Sequence, residues 1–353
     1  MNIGVNRDID PRVVAFYDTY YDIVDTPDFN NRTRLLKPEH GIRKIGYQKN
    51  KKCRFCHKSE PEVSFKKIAH VFPESIGNKA LASYYECDNC NDHFGKTIEN
   101  DYGNFFQYYH SVAGIRGKRG ITKIKSKTGV FDPDGNFIPD YEMYWEPIDG
   151  EQGELCLKMI SNIPIEERQT CPDTIQLEEI HPDCCPIGVF RALVKMAISV
   201  MPFNELFLFD HTIQWLLDTH NSNIFSPKKL LVRYAMIPGF NVVKYPHFVL
   251  YRRKRDIISS MPYMVFSLTY GLFSLMVEIP RNNEKNTVDI SSIPFPPIPF
   301  HTSTKGCWDL SNETLEEDFK HGIELHLDNI KDISKKTTIS MENGRRVIKF
   351  IDT

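Results

Sequence analysis

Two Cys-x-x-Cys pairs, Cys53/Cys56 and Cys87/Cys90, bracket a short segment centred on His70. Each Cys-x-x-Cys turn presents two thiolates on one side of a tight knuckle, and two knuckles supply the four soft ligands that tetrahedral Zn²⁺ prefers. A closed Cys₄ site keeps no open coordination position, so this zinc is structural and the chemistry must come from what it scaffolds. Phosphodiester cleavage needs a base to deprotonate water and a cation to stabilise charge on the phosphate and the leaving oxygen. A neutral imidazole, with an ordinary pKa of about 6.5, suits the first task at physiological pH. An Asn or a second His one layer away suits the second.

The elements around these residues must position them. Short strands are expected over 63–65 and 68–72, with Pro73 and Gly77 marking a turn. The stretch NDHFGKTIEN after Cys90 reads as a helix whose start is pinned by the second knuckle. Strand, strand and helix wrapped by a knuckle pair resemble the HNH endonucleases, the ββα-metal nuclease fold in its zinc-stapled form. The resemblance rests on the two Cys pairs, on His70 followed by Val71, Phe72 and Pro73 as the family's His-x-x-Pro, on Ser75 and Gly77, and on Asn91 after the last Cys. It covers about a fifth of the chain. It implies a structural Zn²⁺ on Cys53, Cys56, Cys87 and Cys90, and Mg²⁺ or another divalent ion for catalysis. By the same resemblance His70 is the general base and Asn91 a metal ligand, with His93 the next choice. Glu99 and Asp101 could complete a shell through water. The implied substrate is double-stranded DNA.

Two departures from the family pattern stand out. Many members carry Asp or Glu just before the base as a second metal ligand, where this chain has Ala69, and near the place of the family's middle Asn it offers Ser83, with Asn78 further back. Both departures favour an alternative, a non-catalytic zinc-stabilised nucleic-acid-binding protein. Retention of His70, Pro73 and Asn91 favours the enzyme.

Residues 1–52 read as an arm, with Pro11 opening a helix over 11–24 and Arg32, Arg34, Lys37, Arg43, Lys44, Lys49, Lys51 and Lys52 leading into the first knuckle. That run is either a solvated face or a phosphate-tracking arm. After the nuclease helix, residues 113–127 place Arg116, Lys118, Arg119, Lys123, Lys125 and Lys127 among glycines. Beside an HNH module, Arg116, Lys118, Arg119 and Lys123 are expected to hold the DNA backbone, contacts that position without reading sequence.

The 353-residue chain has room for two cores, with 41% hydrophobic and 25% charged residues, an ordinary globular composition. A net charge of −2 excludes a generally basic coat, so DNA contact must be local. No apolar run reaches membrane-spanning length, and the opening MNIGVNRDIDPRVV does not read as a signal peptide. Cys156, Cys171, Cys184, Cys185 and Cys307 show no disulfide framework, as expected of a cytoplasmic protein.

Three regions follow: the arm at 1–52, the HNH domain with its basic segment at 53–128, and a C-terminal α+β domain at 129–353. The last is expected to hold strands near 137–145 and 154–160, helices from Pro186 and over 204–219, and strands near 229–236, 247–252, 262–269 and 272–279. A proline-rich extended stretch at 291–300, a helix at 313–331 and a hairpin through Asn343-Gly344 complete it. Arg252, Arg253, Lys254 and Arg255 form either a solvated hairpin end or an anion contact. The fold class is α+β, a zinc-bound ββα-metal module beside a larger mixed domain. With no catalytic constellation of its own, the C-terminal domain is expected to target or restrain the nuclease. It would answer a nucleotide or protein signal, or homo-oligomer formation, as in an anti-phage defence effector.

Overall fold

The computed structural model describes residues 10–26, 41–118, 120–125, 130–131, 137–138, 141–146, 154–159, 174–177, 183–218, 229–237, 243–257, 260–282, 289–297, 304–312, 314, 323–326, 336–342 and 345–351. Helix α1 (Pro11–Tyr20) and strand β1 (Tyr21–Asp25) come first. Strands β2 (Arg43–Ile45), β3 (Ala69–His70) and β4 (Leu81–Ser83) precede helices α2 (Asp88–Lys96), α3 (Ile98–Phe105) and α4 (Gln107–Val112). Then come β5 (Ile124–Lys125), β6 (Val130–Phe131), β7 (Phe137–Ile138), β8 (Tyr141–Glu146), β9 (Glu154–Met159) and β10 (Thr174–Leu177). Helices α5 (Pro186–Val200), α6 (Phe203–Leu206) and α7 (Asp210–Leu217) lead into β11 (Leu231–Met236), β12 (Val243–Arg253), β13 (Met264–Gly271) and β14 (Phe273–Glu278). Strands β15 (Lys305–Asp309), β16 (Ile323–His326), β17 (Lys336–Glu342) and β18 (Arg345–Ile351) close the chain.

These elements form two compact units, Met1–Phe105 with Asp183–Leu315, and Phe106–Pro182 with Glu316–Thr353. In the first, six strands in the order β1-β12-β13-β14-β11-β15 make an antiparallel sheet. Asp10 starts α1 by accepting a 2.9 Å hydrogen bond from the Arg12 amide, and Pro11 needs no donor at that position. The helix expected to run to residue 24 stops at Tyr20, because the next five residues pair with β12 as an edge strand. Tyr17 and Tyr21 then join Tyr251, Val265 and Met276 in an apolar core. Strands β13 and β14 are buried at every position, as continuous apolar runs covered on both faces are.

Helix α5 is buried along its whole length, so the single apolar stripe in its sequence understates how much of it is covered. Three ties fix the segment that carries the two Cys-x-x-Cys pairs to it. At its N-terminal end, the Asp101 carboxylate accepts a 3.1 Å bond from the Cys185 amide, and a Cβ at Gly188 would lie 2.0 Å from Asp101 Oδ2, so only glycine lets α3 so close. At its C-terminal end, buried Arg54 donates to the carbonyls of Ile198 and Met201. Midway, the fully buried Lys195 amine lies 3.1 Å from Glu86 Oε2 and 2.8 Å from Glu99 Oε1. Burial pushes the Glu86 carboxyl up to about 7 against the pull of Lys195. Burial also opposes the Lys195 charge, but Glu86 and Glu99 together hold that amine above its ordinary value.

The helix expected over 204–219 is α6, a 3₁₀ turn at Phe207–Phe209 and α7 in succession. The basic run at 252–255 is spent internally: Arg252 pairs with Glu205 at 2.9 Å and Asp22 at 3.0 Å, while Arg253 and Lys254 donate to the carbonyls of Met261 and Asp18.

In the second unit, β18-β17-β9-β8-β5 form one sheet, with β10-β16 and β6-β7 as separate pairs. The expected terminal hairpin is present as β17 and β18, whose pairing runs to Glu342↔Arg345, while Asn343 and Gly344 lie outside the described residues. The helix expected over 313–331 is replaced at 323–326 by strand β16, paired antiparallel with β10. The period-two alternation of Ile323 and Leu325 with polar neighbours, read there as part of a longer helical stretch, is a strand signal.

Lys195→Met should cost about 3–5 kcal/mol, because it leaves Glu86 and Glu99 without their cation in a buried site. Urea unfolding of the full chain measures it. A loss under about 1 kcal/mol would mean that α5 is held by packing alone.

Candidate active site and zinc centre

The Sγ atoms of Cys53, Cys56, Cys87 and Cys90 lie within 4.8 Å of one another. Cys56 Sγ and Cys87 Sγ are 3.7 Å apart, close to the edge of about 3.8 Å that a tetrahedron with Zn–S bonds of about 2.3 Å requires. Hydrogen bonding from Cys90 draws the Cys53 thiol down, toward the thiolate that a metal ligand requires. That same bond pushes Cys90 up, and burial raises Cys87 to about 12. Four sulfurs arranged this way, three on buried cysteines and one on half-buried Cys56, fit Zn²⁺, which would let all four ionise.

The first knuckle turns through His57, whose amide donates to the Cys53 carbonyl at 3.0 Å with φ at 60°. The second knuckle is the start of α2, with Cys87 as its N-cap. Asp88 then fixes the chain between them. Its carboxylate accepts from Ser64 Oγ at 2.5 Å and from the amides of Lys67 and Lys66 at 2.9 and 3.1 Å. Those bonds overcome burial and hold the Asp88 carboxyl below its ordinary value. Residues 63–65 are not a strand: Ser64 gives its hydroxyl to the Asp88 carboxylate and its carbonyl accepts from the Asp88 amide, while the Val63 amide donates to the Ser59 carbonyl. The ββ pair is instead β3 and β4, in register Ala69↔Ser83 and His70↔Ala82. Strand β2 adds to β4 in parallel, completing the order β2-β4-β3.

Asn78 closes the loop between β3 and β4. It is fully buried, donates to the carbonyls of Phe72 and Leu81 at 2.8 and 2.9 Å, and accepts from the amides of Ala80 and Leu81 at 3.3 and 3.0 Å. It thereby ties the two ends of the loop together from inside. Phe72 anchors the same loop to the large sheet, edge-on to Phe248 at 5.1 Å and tilted to Phe266 at 6.2 Å.

His70 therefore stands on a braced strand, with its side chain 20% exposed. Its Nε2 lies 3.1 Å from Glu74 Oε1. Glu74 is not the acid that the sequence pattern leads one to seek, which would precede the base at Ala69. It lies one residue past Pro73, on the 3₁₀ turn Glu74–Ile76, and its i+4 spacing from His70 was the available signal.

Asn91 and His93 are both half-buried on α2. The Nε2 of His93 is buried with no hydrogen-bond partner, an orphaned nitrogen that suits an ion or a substrate oxygen. Glu99 and Asp101 are committed to Lys195 and to the Cys185 amide, not to a metal shell. Among the described residues, the cysteine cluster is the one group of three or more His, Cys, Asp or Glu side chains close enough to share an ion. Arg116, Lys118 and Lys123 are exposed residues of the second compact unit, with a tight turn closed by Gly117 and Gly120 between them. Arg119 lies outside the described residues.

Residues 53–107 match the family model described as HNH endonuclease. No curated protein and no solved structure matches the chain. The HNH match and the geometry coincide: the matched residues contain both knuckles, β3, β4, α2 and α3. The HNH segment points to nuclease activity on nucleic acid, and its four cysteines are placed to bind zinc. Among the described residues, no helix is long and apolar enough to cross a membrane.

Cys53→Ser or Cys90→Ser should lose zinc and unfold the HNH segment, since metal binding there is folding free energy on the order of 10 kcal/mol. His70→Ala should keep both zinc and fold. Metal analysis with circular dichroism separates the cases, and zinc loss in His70→Ala would make His70 a ligand. Asn78→Ala should cost roughly 3 kcal/mol from several buried hydrogen bonds, read by urea unfolding. A change below about 1 kcal/mol would show that the loop closes without it.

Proposed function

We propose that this protein is a metal-dependent endonuclease hydrolysing phosphodiester bonds in double-stranded DNA. The observation that carries the reading is the His70–Glu74 pair, Nε2 to Oε1 at 3.1 Å, on a strand within the segment that matches HNH endonucleases. His70 takes the proton from the attacking water. Glu74 fixes the ring and favours the imidazolium that forms. Asn91 and His93 would hold the divalent ion, Mg²⁺ or another, and the orphaned His93 Nε2 supports that assignment. Such an ion supplies Lewis-acid stabilisation of the phosphate and the leaving oxygen. Arg116, Lys118, Arg119 and Lys123 would contact the DNA backbone without reading sequence, and the exposure of Arg116, Lys118 and Lys123 is consistent with that use.

Restraint of cleavage by the C-terminal residues, released by a nucleotide or protein signal or by self-association, belongs to the same proposal, with anti-phage defence as the setting it would serve. It must be tested in the full chain. A fragment ending near Gly129 lacks Lys195 and leaves Glu86 and Glu99 without their cation.

Plasmid nicking by the full chain with Mg²⁺, Mn²⁺ or Ni²⁺ tests the activity. The wild type should nick, and His70→Ala should lose at least about 100-fold, the usual worth of a positioned general base. Asn91→Ala and His93→Ala should weaken nicking in a way that added divalent ion partly restores. A folded, zinc-loaded wild type that nicks with none of the three ions would leave a non-catalytic nucleic-acid-binding protein.

A further inference from the structure

Residues of β2 and β4, in the sheet that carries His70, form one wall of a cavity of about 190 Å³ whose chemistry the cleavage reaction does not use. Its lining includes Lys44, Lys51 and Lys66 together with Phe65, Ala82 and Tyr84. The Lys44 ammonium lies 4.9 Å from the Tyr84 ring centre. That of Lys51 lies 5.6 Å from the centres of both Phe65 and Tyr84, and 3.4 Å from the Phe65 carbonyl. Aromatic faces attract these cations and limit where the two ammonium groups can go, without neutralising them. Among the described residues, neither lysine nor Lys66 has a carboxylate partner. Lys67, also in the lining, is neutralised by Asp92 at 2.6 Å, and Glu86, the acidic residue of the wall, is fully buried against Lys195. The cavity therefore carries a surplus of positive charge.

Its position relative to the base follows from register. His70 pairs with Ala82, and Ala82 pairs with Lys44, so the three stand in one row across β3, β4 and β2. Residues opposite one another on paired strands share a face, and the small, buried Ala82 stands between the half-buried histidine and the exposed lysine. Two strand spacings separate the Lys44 and His70 backbones by about 10 Å. A DNA strand carries one phosphate per about 3.4 Å of helix axis, so that distance spans a few nucleotides.

We infer that this cavity is a phosphate subsite of the nuclease, in which Lys44 and Lys51, with Lys66 at the rim, hold a backbone phosphate of the same DNA strand a few nucleotides from the scissile bond. The inference rests on the nuclease reading of His70 and adds to it the residues that fix the strand. Lysine ammonium groups steered by rings bind a phosphate as point charges, so their hold is independent of base sequence.

The test is fluorescence anisotropy of a labelled DNA duplex with the full-length His70→Ala chain, titrated across NaCl concentrations, with Lys44→Gln and Lys51→Gln added singly and together. Each substitution should weaken binding about 3- to 10-fold at moderate salt, and the double variant should flatten the slope of log K against log[salt] by about 0.9, the value for one phosphate no longer neutralised. The weakening should be equal across unrelated sequences, and Lys51→Arg should restore it. In the chain that keeps His70, the same changes should raise KM with little change in kcat. Should Lys51→Gln fail to retain zinc, the exposed Lys44 alone decides by the same readings. Unchanged affinity and slope, a weakening confined to particular sequences, or a wild type that binds no duplex would each overturn the subsite. Nuclease activity that survives with lysine-independent binding sinks only this inference, whereas lysine-dependent binding in a chain that never cleaves sinks only the enzyme.

Discussion

Four sulfur atoms confined within 4.8 Å set the geometry on which the rest of the site depends. Short strands and a nine-residue helix have little stability of their own, since helices of this length are marginal in water. A metal that binds only the folded arrangement supplies what local propensity cannot. By making Cys87 the N-cap of α2 and Cys90 part of its first turn, the cluster sets the direction of the helix and so the places of Asn91 and His93. Asp88 uses the same turn to organise the segment before β3. His70, proposed as the base, and the proposed ion ligands thus stand on elements organised around the cysteine cluster.

Zinc alone does not explain the architecture. The segment is also tied to α5 at both ends and in the middle, by Asp101, Arg54 and the buried Lys195 amine. A buried ion pair adds little net stability compared with apolar packing, but it strongly disfavours any arrangement that leaves one partner alone. Lys195 therefore acts chiefly on specificity: α2 and α3 must meet α5 in one register or strand a charge. The HNH segment and residues 183–315 consequently share one core, and a nuclease built this way gains rigidity at His70 from the large sheet through Phe72.

What could be read in the sequence was what is local. The Cys spacings, His70 with its following Pro73, the start of α5 at Pro186 and the strands near β13 and β14 each carry their signal within a few residues, and each is present in the structure. What could not be read depends on partners distant in sequence or on backbone bonding. The second strand of the ββ pair lies after the turn, not before His70, because Asn78 closes that turn through main-chain groups that leave no mark in a hydrophobic pattern. Glu74 meets His70 by reaching back from a 3₁₀ turn, where the sequence pattern directs attention to Ala69. Glu99 lies near the nuclease helix in sequence and so suggests a metal shell, yet its partner is Lys195, whose burial no local pattern announces. The short strand β16 was hidden inside a longer polar stretch that reads as helix.

Helix α2, which starts at the second Cys pair, is the element that would present Asn91 and His93 to a catalytic cation in front of His70. Anomalous diffraction from crystals of the full-length His70→Ala protein soaked in Mn²⁺ with a DNA duplex tests this directly. Zinc should appear on the four cysteines, with a separate manganese peak against Asn91 or His93 and a DNA phosphate oxygen completing its shell. Manganese bound only away from α2, with DNA present and the zinc site intact, would contradict it.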